Sequence, residues 1–124
     1  MTLNPGRPTG AKPVGEARDI YEFLDQVRMR PGMFVRGGSL LELQAILYGY
    51  RVASEIYGPQ AVTDFEHEGP FTAWLWPQLG RSYSSPLGWA VEITKAAEAA
   101  DTSAIDLFFD LLDKFKDERS PQAR

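Results

Sequence analysis

The chain has no cysteine and one histidine, His67. The first absence excludes disulfide scaffolds, thiolate zinc sites and cysteine nucleophiles. The second excludes metal sites built from several imidazoles. No apolar run approaches the roughly 18 residues that a membrane-spanning helix needs. The first thirty residues lack the apolar stretch of a secretory signal. There is no Walker loop, dinucleotide-binding fingerprint or G-x-S-x-G elbow. Gly32, Gly37 and Gly38 lack the required spacing, and Ser82, Ser84 and Ser85 sit in a polar connector. H-E-x-x-H and EF-hand spacings are missing as well. No motif asks for a metal or a cofactor, and no equipment for catalysis is evident.

What is present is a 124-residue chain, 44% hydrophobic and 24% charged, which suits one globular domain. The composition fits a cytoplasmic protein. The net charge of −4 is unevenly spread. Residues 1–51 carry seven basic groups against five acids, whereas residues 52–113 carry ten acids against Arg81 and Lys95. The last eleven residues return to an excess of base. An acidic centre repels phosphate backbones, so nucleic-acid binding there is disfavoured. The same field attracts a basic protein and speeds its encounter.

Pro5, Gly6, Pro8, Gly10, Pro13 and Gly15 punctuate residues 1–15, which read as a flexible arm. Residues 16–118 read as one helical domain, and 119–124 as a frayed tail. Ile20, Phe23, Leu24 and Val27 share one helical face, predicting a first helix over 16–28. The capping-box spacing of Asp19 and Glu22 offers a later start. Pro31 stops it, Gly32 suits a positive-φ turn, and Met33 and Phe34 should return to the core. Gly37 and Gly38 break the chain, and Ser39 with Glu42 form a capping box for a second helix over 40–57. Its expected buried face is Leu43, Ile46, Leu47, Tyr50, Ala53 and Tyr57, with Gly58–Pro59 as the stop.

Residues 60–68 are ambiguous between strand and acidic loop. Pro70 suits the first position of a third helix, which should cover 71–79 with Phe71, Trp74, Leu75 and Leu79 inward; Pro77 is awkward there. Ser85–Pro86 reads as the start of a fourth helix over 87–100, with Trp89, Ile93, Ala96 and Ala100 on one side. Asp101, Thr102 and Ser103 are caps for a fifth, over 103–118, whose stripe is Ile105, Phe108, Phe109, Leu112 and Phe115. The expected fold is therefore all-α, a compact bundle of about five helices.

Two sets of residues invite a functional reading. Asp64, Glu66, His67 and Glu68, with Trp76 and Tyr83 nearby in sequence, would make an acidic, aromatic surface for a basic partner protein. Against this, His67 can be a solvated loop residue and Trp76 a second core contact. His67 and its carboxylates could also serve an enzyme of unrecognised type. Arg28, Arg30 and Arg36 around the Pro-Gly turn could hold a nucleotide or another anion. The alternative for Arg28 and Arg30 is structural: they complement the dipole of a helix C-terminus or pair with the acidic fifth helix.

Val27–Arg28–Met29–Arg30–Pro31–Gly32–Met33–Phe34–Val35 resembles the V-R-x-R-P-G-M-Y-I segment of the DNA gyrase B-subunit and its topoisomerase relatives. That family's E-x-x-D-N-x-x-D-E helix and D-x-G-x-G motif are missing here, so the resemblance carries over no ATPase residue. The whole pattern also resembles a group of small bacterial proteins. They share the R-P-G-M turn, an S-L-x-x-L helix at Ser39–Leu43, tryptophans between Trp74 and Trp89, and an F-F-x-L-L-x-x-F end at Phe108–Phe115. The likeness to that group, together with the chain's small size and acidity, implies an immunity protein or antitoxin that masks a basic toxin.

Overall fold

The computed structural model describes residues 19–57, 64–66 and 69–119. The expected arm, the helix start at 16–18, the Gly58–Pro59 stop, most of the ambiguous segment and the end of the tail lie outside them. Five α-helices follow one another: α1 (Ile20–Met29), α2 (Leu40–Tyr57), α3 (Pro70–Gln78), α4 (Trp89–Ala99) and α5 (Ala104–Arg119). No strand occurs among the described residues. The expected all-α bundle is the observed fold.

Each helix is bounded by local chemistry. The Asp19 carboxylate accepts from Glu22 N at 2.9 Å, so α1 opens at the later of its two expected starts. Pro31 ends it and begins a short 3-10 turn, Pro31–Met33. Before α2, Ser39 Oγ accepts from Glu42 N, while Glu42 reaches past the cap to the backbone N–H of Arg36 at 2.8 Å. At the end of α3, Gly80 takes a left-handed conformation; its N–H donates to Pro77 O and that of Arg81 to Trp76 O. Pro77 fits because it sits in this last turn, where the capping bonds close the helix. Asp101 ends α4 in the same way at φ 56°, with bonds from its own N–H to Glu98 O and from Thr102 N to Ala97 O. Ser103 then caps α5.

Helix α4 packs between α2 and α5, and α3 lies on α5. Their shared interior is aromatic. Trp89 stacks on Phe108 with ring centres 5.1 Å apart, and Phe71 meets Phe65, Phe108 and Phe115 within 6 Å. The expected stripe of α5 is buried in full.

Several expectations are corrected. Gly32 is not among the glycines with positive φ, because the 3-10 turn keeps it in the right-handed region. Met33 is 70% exposed, and Val35 takes the core position instead. Ala53 and Tyr57 face solvent, since the apolar packing of α2 on the core, through Leu40, Leu43 and Leu47 with Ile46 and Tyr50 beside them, ends at Tyr50. Helix α3 buries Phe71, Thr72, Leu75 and Trp76, a face turned from the expected one. Thr72 explains the rotation, since its hydroxyl donates to Glu66 O at 2.6 Å and must face the preceding segment. Trp74 is left half-buried with its indole N–H on Glu118. Helix α4 begins at Trp89 after Gly88; it turns Ala97 inward and leaves Ala100 exposed. Ser85 caps the preceding turn, accepting from Leu87 N and donating to Glu92 Oε2 at 2.6 Å inside the fold.

Candidate functional site: an acidic groove beside the Pro-Gly turn

The Pro31 turn and the corner between α4 and α5 enclose a groove of about 370 Å³, lined by Arg28, Pro31, Thr102, Ile105, Asp106, Phe109 and Asp110. Proline fixes one wall by ending α1 and turning the chain. The left-handed Asp101 fixes the other by stopping α4 just before Thr102. Asp106, Asp110 and Asp113 recur on one face of α5 at helical spacing.

Arg28 crosses the groove. Its Nη1 and Nη2 donate to the two carboxylate oxygens of Asp113, both at 2.8 Å, and its guanidinium lies 5.3 Å from the centre of the Phe109 ring. The paired bonds hold the Asp113 carboxyl below its ordinary pKa, and they raise that of Arg28. Asp113 is the bonded partner of Arg28, and the Asp110 and Asp25 carboxylates further favour its charged form. Asp106 and Asp110 remain exposed with no ion pair to a described residue. Such a groove suits a guanidinium or ammonium group, with the Thr102 hydroxyl as a further acceptor; Phe109 is 5% exposed and forms its buried floor under Arg28.

The residues singled out from sequence are placed elsewhere. Asp64 is buried: it accepts from Tyr21 Oη and from Arg119 Nη1, the latter at 2.6 Å. It is a tether between α1 and α5 and is not offered to a partner. Glu66 lies 3.2 Å from Arg51 Nε. His67 and Glu68 lie outside the described residues. Trp76 is 6% exposed, so it fills the interior and is not an interface anchor. Tyr83 is exposed, with the Arg81 guanidinium 5.9 Å from its ring centre. Of the three arginines proposed for anions, Arg28 is neutralised by Asp113, and the groove beside it is acidic. Among the described residues, no group of three His, Asp or Glu side chains is arranged to hold a metal ion.

Sequence reasoning missed Asp106 and Asp110. Their signal was the acidic spacing on α5 combined with the expectation that Arg28 pairs with that helix. Ser85 and Glu92 were also missed as a buried pair; Arg81 and Lys95 lie 3.9 Å from the second Glu92 oxygen.

No family model matches the chain, and the searches of curated proteins and of solved structures found no match to it. No helix among the described residues is long and apolar enough to cross a membrane.

Proposed function

We propose that this chain is a non-enzymatic protein-binding module that captures a basic protein, in the manner of an immunity protein or antitoxin. The observation that carries the reading is the groove: two exposed carboxylates, Asp106 and Asp110, beside an arginine already neutralised by Asp113. A partner's arginine or lysine gains two charge-assisted acceptors there. The net charge of −4 adds long-range attraction for the same partner. The surface differs from the one expected around Asp64 and Trp76, but it favours the same class of partner.

The test is titration of the full chain against the purified products of adjacent genes at low and high salt. Binding is expected to weaken as salt rises, and Asp106→Asn combined with Asp110→Asn should lower affinity at least tenfold. Binding that ignores both salt and the two substitutions overturns the proposal, and so does the absence of binding at low salt.

A further inference from the structure

A second cavity, of about 110 Å³, lies between α1, α2, α4 and the 64–66 segment and shares no residue with the acidic groove. Ile20, Leu47, Phe65 and Trp89 give it apolar walls, and the exposed Tyr48 stands at its rim. Apolar walls with a few polar atoms are the usual make-up of a small-molecule site.

Two of the lining residues carry buried polar atoms with no partner among the described residues. Trp89 is 2% exposed, yet its indole N–H meets no acceptor. Gln44 Oε1 is buried and meets no donor. Each such atom costs free energy, so two of them on residues of one cavity ask for a reason.

Gly88 keeps the two residues close. It caps α4 immediately before Trp89 at φ 90°, a conformation that only glycine adopts without strain. A methyl group added to it would lie 3.4 Å from Gln44 Nε2. The Gln44 amide, carried on α2, therefore reaches across to the residue that precedes Trp89.

The two atoms narrow the ligand. The indole N–H only donates, so the ligand must offer an acceptor. A donor-only ammonium leaves that N–H unanswered. A carboxylate is disfavoured by Glu66, which also lines the cavity. Gln44 Oε1 asks in turn for a donor. What remains is a neutral group with acceptor and donor together, on a short apolar stem. The volume is below the roughly 150 Å³ of a cavity that holds benzene, so it takes about four to six non-hydrogen atoms. We infer that this cavity binds a primary carboxamide. Its carbonyl accepts from the Trp89 indole N–H, its N–H donates to Gln44 Oε1, and its stem packs on Ile20, Leu47 and Phe65. The amide comes either as a free short-chain molecule or as the side chain of a partner's glutamine.

The test is titration of the full chain with propionamide, followed through the assigned Trp89 indole N–H in nitrogen–proton correlation spectra. A saturable downfield shift is expected. Butanone, of the same size but without an N–H, should bind at least fivefold more weakly. Gln44→Met should lower propionamide affinity at least fivefold and leave butanone affinity unchanged. N-acetylglutamine N-methylamide separates the sources: tighter binding than propionamide assigns the amide to a peptide side chain, and weaker binding assigns it to a free molecule. The groove substitutions at Asp106 and Asp110 should alter none of these values, so the two sites are tested independently. An indole N–H that propionamide does not shift, as when a lodged water already answers it, overturns the inference. Equal affinities for propionamide and butanone in the unsubstituted chain overturn it too, whether or not Gln44→Met folds.

Discussion

Arg28 on α1 and Asp113 on α5 stand 85 positions apart and meet through two parallel hydrogen bonds of 2.8 Å. The pair fastens the first helix to the last and fixes the cationic edge of the groove. Both side chains are about half exposed, so solvent screens their attraction. A double-mutant cycle with Arg28→Ala and Asp113→Ala, followed by urea denaturation, should give a coupling of about 0.5–1 kcal/mol. The folded Asp113 carboxyl is held below its ordinary value of 3.8. Its contribution is therefore complete above that value and is lost as pH falls through the folded pKa. The coupling should disappear in strong acid and persist at neutral pH.

Tyr21 behaves in the opposite sense. Burial and its bond to Asp64 raise its pKa well above the ordinary 10.0. A raised acid is favoured in its neutral form in the fold, so its contribution is complete below pH 10 and is lost as pH rises through the folded pKa. Melting temperature should fall above pH 10. In Tyr21→Phe that alkaline decline should be shallower, with the tyrosinate absorbance of the wild type rising late in a spectrophotometric titration.

The Ser85 hydroxyl and the Glu92 carboxylate are both buried, at 2.6 Å. Ser85→Ala removes the donor and leaves the carboxylate short of a partner, which should cost about 1–3 kcal/mol in urea denaturation.

Asp101 adopts φ 56°, where a glycine would be unstrained. Asp101→Gly should raise stability by about 0.5–1 kcal/mol, read as a higher melting temperature with the fold unchanged. Its side chain does not line the groove, so partner affinity should be unaltered.

Helix existence was legible because it rests on local rules. The 3.6-residue period of α5, the Ser39–Glu42 cap and the proline at the start of α3 act within one turn, and α2 spans the expected residues 40–57. Facing was less legible. Trp74 and Trp76 exchanged places because Thr72 hydrogen-bonds to the segment before α3 and rotates the helix, a contact that periodicity does not contain. Asp64 read as a solvated loop acid because its partners Tyr21 and Arg119 are 43 and 55 positions away.

The sequence by itself determined an all-α chain of five helices, its turns and the acidic spacing of α5, since propensity, capping and period are properties of neighbours. Only the tertiary structure decided that Arg28 is spent on Asp113, that Asp106 and Asp110 remain to line a groove, and that Gln44 and Trp89 line one cavity. Those facts depend on which surfaces of distant helices meet, and burial and ion pairing are fixed only when the helices pack.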